Sequence, residues 1–312
     1  MRKILVTGGA GFIGSNLAEK LAADPDNFVV VVDNFLTGKK ANVKSLLDKV
    51  NVRIIKCDVN NIHDISQVMV SYSFDYVFHY AAVVGVMRTL ENPILVLNDI
   101  EGIKNILDLS KNTGVRRVFF SSSSEVYGEP VEFPQNEFTT PLNSRLPYAV
   151  VKNVGESFCR SYQNEFGLPF TIFRFFNTYG PRQSTDFVMS RFIRAALRNE
   201  DIVIYGDGTQ SRTFCYIEDN IDAVLSSFYE EKYINDVVNI GNDDETRIKD
   251  LAVKIIEITN SQSRLRYTQP LKEGDMNRRK PDIGKMRKLL KRPLLSLEEG
   301  IRRVIREGNF YA

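Results

Sequence analysis

Hydrophobic positions in the first half of the chain alternate between two patterns. Short runs that are apolar on both faces are separated by stretches in which apolar residues recur every three or four positions. The runs are KILVTG, FVVVVD, VRIIKCDV, DYVFHYAA and VRRVFFSSS, and the helical stretches include Ile13–Ala23 and residues 93–113. Strands apolar on both faces are typical of a parallel sheet covered by helices. The pattern therefore predicts an α/β fold with a doubly wound parallel sheet.

The second half of the chain is less regular. A helical pattern over residues 147–166 is followed by the strand-like run PFTIFRFF, but beyond Asn177 turns such as YGPRQ and YGDGTQ interrupt the alternation. A late apolar run at residues 237–241 and the helical pattern before it are suited to rejoin the first sheet. We therefore expect a main domain over residues 1–176, with residues 215–241 returning to it, and a smaller, interleaved C-terminal lobe within residues 177–312.

Composition gives no bias toward a charged partner. The chain has 312 residues, 43% of them hydrophobic, and its 41 basic residues nearly balance its 39 acidic ones. A net charge of +2 creates no field that favours nucleic acid or an anionic membrane, so neither is expected as a partner. No stretch approaches the roughly 18 apolar residues of a membrane-spanning helix, and the N-terminal apolar run is too short for a signal peptide.

Cysteine and histidine are too sparse for a metal centre. Cys57, Cys159 and Cys215 are isolated, show no CxxC spacing and cannot all pair, which suits a reducing compartment. Of the two histidines, His63 and His79, the second lies at a predicted strand end, where a packed side chain is more common than a metal ligand. We expect no metal site and a cytoplasmic protein.

The stretch TGGAGFIG places Gly8, Gly11 and Gly14 between the first predicted strand and the first predicted helix. Glycine is needed at such a turn so that the backbone can approach a diphosphate, whose charge then meets the helix N-terminus. A glycine triplet alone is a weak signal. Its position between strand and helix indicates a dinucleotide site.

A carboxylate, Asp33, ends the second predicted strand nineteen residues after Gly14. There it can accept hydrogen bonds from an adenosine ribose and would repel a 2′-phosphate, which favours NAD over NADP. Alternatively Asp33 is only a turn residue, because DNFLTGKK has a turn-like composition. The two lysines of this segment would also weaken the repulsion of a 2′-phosphate. Asp58, at the end of the third strand, is placed to contact the adenine.

Tyr148 and Lys152 are four apart in a predicted helix and therefore share one face. A free tyrosine titrates at about pH 10, but a neighbouring ammonium and a positive nicotinamide both favour the tyrosinate, which can then take a proton from a hydroxyl. By chance the same spacing describes an exposed aromatic beside a solvated lysine. The Tyr148–Lys152 spacing indicates a catalytic pair only when other motifs accompany it.

Those other motifs are present, and with them the chain resembles the extended short-chain dehydrogenase/reductase family over essentially its whole length. The resemblance is to the branch of nucleotide-sugar epimerases, dehydratases and decarboxylases. It is carried by TGGAGFIG, VVDNFLTG, CDV, HYAA, SSSSEVYG, PYAVVK, RFFNTYGPRQ, YGDGTQSRTFCYIEDN and RRKPDI. Residues 1–176 would then be an NAD-binding Rossmann domain and residues 177–312 a nucleotide-sugar-binding lobe.

The resemblance implies an enzyme in which bound NAD takes hydride from sugar C4. Tyr148 would be the base, Lys152 would hold the nicotinamide ribose, and Ser123 would share the C4 proton. Further residues implied to contact the cofactor are Phe12, Ile13, Asn34, Val59 and Ala81.

For the substrate, the resemblance implies a nucleotide-diphosphate sugar, UDP- or GDP-linked. Asn177, Arg212 and Arg279 would hold the diphosphate, and Thr89 would lie near the sugar. An arginine fork suits phosphate oxygens. Ordinary surface pairing is the alternative for any one of the arginines.

Two segments depart from family patterns. The usual N-V-x-G-T run is DIEGI here, so Asp99 replaces an asparagine and Ile103 a threonine, which changes the hydrogen bonding expected behind the nicotinamide. The segment AAVVGVMRTLENP lacks the proline-rich sequence of the decarboxylases and is more similar to the epimerases and dehydratases.

Glu125, two residues after Ser123, bears on the reaction. Once C4 is a ketone the C5 proton is acidic, and a nearby carboxylate can abstract it or direct what leaves, whereas a simple 4-epimerase needs no such base. Glu125 matches the glutamate of GDP-mannose-type 4,6-dehydratases and UDP-glucuronate decarboxylases. RRKPDI also resembles the decarboxylases, in which an arginine of this segment contacts the sugar carboxylate. A turn cap is the alternative for Glu125. We place elimination or decarboxylation first, 4-epimerisation second and a non-catalytic Rossmann sensor last.

We also expect a homodimer. In relatives the two helices flanking the active strand pair across a two-fold axis, and here these would be residues 93–113 and 147–166. The second carries an apolar stripe of Val151, Val154, Phe158 and Tyr162. Packing within one subunit explains the stripe equally well.

Overall fold

The computed structural model describes residues 1–270 and 278–308, apart from the side chains of Val86 and Met87. The strands are β1 (Arg2–Thr7), β2 (Asn27–Asp33), β3 (Val52–Lys56), β4 (Tyr76–His79), β5 (Arg117–Ser123), β6 (Phe170–Phe175), β7 (Thr178–Tyr179), β8 (Ile202–Tyr205), β9 (Ser211–Thr213), β10 (Cys215–Tyr216), β11 (Asp236–Ile240), β12 (Glu245–Arg247) and β13 (Leu265–Thr268). The α-helices are α1 (Phe12–Leu21), α2 (Ile62–Tyr72), α3 (Val86–Glu91), α4 (Pro93–Leu97), α5 (Asp99–Thr113), α6 (Pro147–Phe166), α7 (Val188–Leu197), α8 (Ile217–Tyr229), α9 (Ile248–Thr259), α10 (Gly284–Leu289) and α11 (Leu297–Glu307). Two 3₁₀ turns lie at Lys40–Leu46 and Ser124–Tyr127.

Seven strands form one parallel sheet in the order β11-β6-β5-β4-β1-β2-β3. The chain runs from β1 outward to β3 and then crosses to β4 on the other side of β1, so the direction of the strand order reverses there. Strand β2 buries all four of its valines, and helices cover both faces of the sheet. The prediction of a doubly wound parallel sheet is confirmed.

Strand β11 pairs with β6 only after the chain has left the sheet and formed the smaller pairs β10–β7, β12–β9 and β13–β8. Helix α8, which leads into β11, packs against α1. Sequence from the second half of the chain therefore completes the edge of the first sheet. The division at residue 176 into two functional domains stays a prediction.

The helix predicted over residues 93–113 is divided into α4 and α5 at Asn98. The next residue, Asp99, turns its carboxylate to the preceding loop, where Oδ2 accepts a hydrogen bond from the Val83 backbone N–H at 2.7 Å. The helix predicted over residues 147–166 has these bounds in the structure. No helix within the described residues is long and apolar enough to cross a membrane.

Candidate active site

A cavity of about 730 Å³ opens at the carboxyl edge of the parallel sheet, where the strand order reverses. This is where ligands bind in doubly wound folds. The loops after β1, β2, β4 and β5 form its wall, together with the start of α6 and residues that follow β6. Predicted site residues in the wall are Gly8, Gly11, Phe12, Ile13, Gly14, Asp33, Asn34, Asp58, Val59, Ala81, Thr89, Ser123, Glu125, Tyr148, Lys152, Asn177 and Arg279.

Arg212 is the predicted site residue that does not line this cavity. It lies in β9 with only 8% of its surface exposed, and its Nη1 donates to the Ser211 carbonyl oxygen at 2.8 Å. Phe214, two residues further on, does reach the cavity wall. The diphosphate contact expected of Arg212 stays a prediction.

The glycine loop is shaped by two close approaches. Gly8 has a φ of +65°, and a Cβ added there would lie 2.6 Å from the Ala81 backbone nitrogen. A Cβ at Gly14 would collide with the Gly8 carbonyl oxygen. Any larger residue would therefore push α1 away from β1 and move the helix N-terminus, where a diphosphate binds in this fold. The loop fits a dinucleotide.

Asp33 makes the backbone contacts of a turn residue at the edge of the cavity. Its Oδ1 accepts from the Phe35 N–H at 2.8 Å, as in a turn, and its Oδ2 accepts from the Ala10 N–H of the glycine loop at 2.9 Å. Burial raises the pKa of this carboxyl, although the backbone hydrogen bonds oppose the shift. The Gly11 N–H is a third backbone donor to this carboxylate, and since a carboxylate has about four lone-pair directions, room remains for a ribose hydroxyl. The residue fits NAD while also fixing the loop.

Lys152 is buried in the cavity wall one helical turn after Tyr148. Its Nζ lies 3.4 Å from Ser121 Oγ and 5.7 Å from the centroid of the Tyr148 ring. Burial lowers the pKa of Lys152 to about 8, and the negative charge of Asp99 opposes this shift. The Lys152 ammonium therefore lies close enough to interact electrostatically with Tyr148 and with a ligand in the cavity.

The protein groups around Tyr148 raise its pKa instead of lowering it. Burial is the main cause, and the charge of Glu125 adds to it, whereas a hydrogen bond with Ser123 acts in the opposite direction. The expectation that the Lys152 ammonium depresses this pKa is therefore not met by the protein groups alone. A further positive charge near the phenol oxygen, such as that of a nicotinamide ring, would favour the tyrosinate.

Glu125 and Arg279 form an ion pair in the cavity wall. Arg279 Nη1 lies 2.8 Å from Glu125 Oε1, and the two side chains are 6% and 22% exposed. The same Nη1 lies 3.4 Å from Ser124 Oγ. Backbone hydrogen bonds hold the arginine segment in place, because Gln135 N–H donates to the Lys280 carbonyl at 2.7 Å. A guanidinium placed in this way can bind a carboxylate or a phosphate.

Sequence reasoning missed Ser121 and Ser124, which contact Lys152 and Arg279. Alternation along β5 was a usable signal for Ser121, because it places residues 121 and 123 on the same face of the strand. Asp99, the departure from the family asparagine, lines the cavity, and its Oδ1 accepts from Asn60 Nδ2 at 3.3 Å.

The described residues contain no cluster of three or more His, Cys, Asp or Glu side chains that could hold a metal ion. His79 is buried, its Nδ1 lies 2.9 Å from Thr7 Oγ1, and burial lowers its pKa to about 3. All three cysteines are buried and free.

Known proteins share this sequence and fold. A model of the NAD dependent epimerase/dehydratase family matches residues 4–241. UDP-N-acetyl-alpha-D-glucosaminuronate decarboxylase of Bacillus cytotoxicus is 36% identical, over 97% of each chain. UDP-glucose 4-epimerase of Thermotoga maritima, solved with UDP-glucose, superposes with a TM-score of 0.91 at 33% identity, over 98% of each chain.

A third similar protein is UDP-glucuronic acid 4-epimerase of Bacillus cereus, solved with UDP-glucuronic acid and NAD. It superposes with a TM-score of 0.90 at 31% identity, again over 98% of each chain. The family match covers most of the chain, and the glycine loop and Asp33 fit the cofactor that the family uses. The chain therefore belongs to the NAD dependent epimerase/dehydratase family and is an NAD-dependent enzyme, not a non-catalytic sensor.

Proposed function

We propose that the protein is an NAD-dependent decarboxylase of a UDP-linked uronic acid sugar. The observation that carries this proposal is the Glu125–Arg279 pair, at 2.8 Å, in the wall that also contains Tyr148. A uronic acid differs from a neutral hexose by its C6 carboxylate, and a guanidinium is suited to bind that group. The Bacillus cytotoxicus relative is named as a uronate decarboxylase, which supports the same substrate class.

The first step is oxidation at sugar C4. Bound NAD supplies the reversible removal of hydrogen from that carbon. Tyr148 takes the proton of the C4 hydroxyl, and Ser123 donates a hydrogen bond to the same oxygen. Burial raises the pKa of Tyr148, and the Lys152 ammonium and the cofactor's positive ring would both oppose that shift and stabilise the phenolate.

The second step is loss of carbon dioxide. A C4 ketone makes the uronate a β-keto acid, so the C5–C6 bond can break with its electron pair passing to the C4 oxygen. Ser123 and the now protonated Tyr148 donate hydrogen bonds to that oxygen and stabilise its charge. C5 then takes one proton from solvent by way of Glu125, Tyr148 returns its proton to the C4 oxygen, and hydrogen returns to C4 from the bound cofactor. The overall change is a uronate plus one proton giving a pentose sugar plus carbon dioxide.

Arg279 and Glu125 act on the group that leaves. In this proposal Arg279 binds the C6 carboxylate instead of the diphosphate expected from the sequence, and Glu125, which shares the same guanidinium, brings a second negative charge close to it. Two carboxylates near one guanidinium repel each other, and conversion of one of them to neutral carbon dioxide relieves that repulsion. We therefore assign the proton transfer at C5 to Glu125.

The test is to incubate the purified protein and NAD with separate UDP-, GDP-, dTDP- and CDP-sugars, including UDP-glucuronic acid and UDP-N-acetylglucosaminuronic acid. Product masses distinguish the reactions. Loss of carbon dioxide from a uronate supports the proposal, and loss of water would indicate a 4,6-dehydratase instead. An isomer of unchanged mass would indicate a 4-epimerase.

A 4-epimerase is the second candidate. The solved structures from Thermotoga maritima and Bacillus cereus are both named as 4-epimerases, and the second holds a uronic acid. Binding of the C6 carboxylate by Arg279 suits either reaction, whereas Glu125 beside that guanidinium, which a 4-epimerase does not need, favours decarboxylation.

We also propose a homodimer and a cytoplasmic location. Val151 and Tyr162 of the expected stripe are buried in the subunit's own core, so the support comes from Ile94 on α4 and Phe166 on α6, apolar side chains that are exposed. The three free cysteines support a reducing compartment. Light scattering at micromolar concentration tests the dimer, and a monomer would remove that claim. Fractionation of cells tests the location.

A further inference from the structure

A chain of buried polar side chains runs from Ser122, in the active-site wall, into the interior of the protein. Glu156 on α6 accepts hydrogen bonds from Ser122 Oγ at 2.6 Å and from Arg174 Nε and Nη2 at 2.8 and 2.6 Å. Arg174 Nη1 donates to the Tyr127 hydroxyl at 2.8 Å, and that hydroxyl donates to Asn239 Oδ1 at 2.8 Å. We call these five residues the Glu156–Arg174 network.

None of the five is a reacting group in the steps above, yet they are fully enclosed. Glu156 and Arg174 are each 1% exposed, and Tyr127 and Asn239 are 0% exposed. An ion pair this deep is weak support for a role in stability alone, because a well-packed apolar pair often serves as well or better. What an ion pair adds is direction, since a bidentate guanidinium fixes the angle as well as the distance.

One end of the network, Ser122, lies in the active-site wall beside Ser123. Ser122 is the residue before Ser123 on β5. Glu156 follows Lys152 by one helical turn and Tyr148 by two turns on α6. The Ser122–Glu156 bond therefore fixes the register of the helix that carries Tyr148 against the strand that carries Ser123.

The other end lies behind the Glu125–Arg279 pair. Tyr127 belongs to the same 3₁₀ turn, Ser124–Tyr127, as Glu125. Asn239 Nδ2 donates to the Gln135 carbonyl at 2.9 Å. Gln135 in turn bonds the backbone on both sides of Pro281, two residues after Arg279.

We propose that Glu156 and Arg174 are positioning residues for two successive steps. Through Ser122 they set Ser123 against Tyr148 for oxidation at C4. Through Tyr127 they set Glu125 against Arg279 for loss of carbon dioxide. The assignment of Tyr127 to loss of carbon dioxide rests on the proposed function. The assignment of Ser122 to oxidation at C4 does not.

The test uses two mild variants, because substitution of Glu156 or Arg174 would leave a buried charge and risk unfolding. Ser122→Ala and Tyr127→Phe each remove one hydroxyl and keep the ion pair. Matched controls are Ser227→Ala and Tyr162→Phe, which remove buried hydroxyls outside the network that bond the Lys232 carbonyl and Asp108, each at 2.8 Å.

Single-turnover mixing with NAD and a UDP-uronate reports both steps, as the rise of reduced-nicotinamide absorbance and as release of carbon dioxide. We expect Ser122→Ala to slow the rise about 10-fold, with KM within about twofold of the parent. We expect Tyr127→Phe to leave the rise intact and to slow carbon dioxide release about 10-fold, so that the absorbance persists. The control variants should keep the parental rates of the absorbance rise and of carbon dioxide release. This should hold even if a control lowers the thermal unfolding midpoint as much as the network variant does.

Parental rates of both steps in both network variants would overturn the proposal. So would equal losses in variants and controls, since these would indicate a general effect on stability. A parent protein that oxidises a sugar at C4 but releases no carbon dioxide would refute the proposed function and, with it, the assignment of Tyr127. Ser122→Ala would still decide the first assignment with that sugar.

Discussion

Glu125→Gln keeps the size of the side chain and removes the negative half of its pair with Arg279. The pair measures 2.8 Å and Arg279 is 6% exposed, so solvent screens it little. A hydrogen bond to a charged group contributes about 1.5–3 kcal/mol, which corresponds to about 10- to 150-fold in rate if the placement of Arg279 is lost. Loss of an acid–base group at C5 costs a further ~100-fold or more. We therefore expect decarboxylation to slow at least about 100-fold.

The first step should survive in Glu125→Gln, because Tyr148 and Ser123 still hold the C4 hydroxyl. Rapid mixing with a UDP-uronate should show reduced-nicotinamide absorbance that rises and then persists, while carbon dioxide release nearly stops. The charge of Glu125 raises the pKa of Tyr148, so its removal should lower that pKa. The acid limb of the first-step pH profile should then move to lower pH.

Tyr148→Phe is the control, because it removes the C4 base and should give no absorbance rise. The reasoning is refuted if Glu125→Gln turns over at a near-parental rate with no persistent absorbance. That result would favour a 4-epimerase, in which rotation of the 4-keto sugar requires no proton transfer at C5.

Three further outcomes are expected. Asp33→Ala should weaken NAD+ binding about 10-fold and narrow the gap to NADP+ in calorimetric titrations; equal affinities of the parent for both cofactors would contradict the role of Asp33. Because burial lowers the Lys152 pKa to about 8, the contribution of this residue to the free energy of unfolding should rise between about pH 8 and 10.5, against the fall caused by buried cysteines whose pKa burial raises. Urea unfolding should therefore show a steeper fall of the free energy of unfolding with pH in Lys152→Met than in the parent, and equal slopes would count against the buried ammonium. Gly155→Ala should lower the free energy of unfolding by about 1–3 kcal/mol, because its Cβ would press into the Phe120 ring; an unchanged urea midpoint would show that the ring can move aside.

Local sequence patterns were enough to predict the fold and many residues of the candidate site. Strands apolar on both faces predict a covered parallel sheet, and helical spacing alone puts Tyr148 and Lys152 on one face. The contact of Glu125 with Arg279 joins residues about 150 positions apart, so no local pattern contains it. The direction of the Tyr148 pKa shift depends on burial, which follows from how β5, α6 and the later segments pack together.

The return of β11 to the sheet also has a consequence for how the chain is made. Strand β6 is complete at Phe175, but its partner begins at Asp236, roughly 60 residues later. At about 5–20 residues per second, a ribosome needs about 3–12 s to synthesise that interval. During this interval the edge of β6 has no β11 to pair with. An unpaired strand edge of this kind can pair with strands of other chains. The enzyme's yield in a cell should therefore depend on what shields this edge during synthesis, and a chain shortened to residue 176 should aggregate.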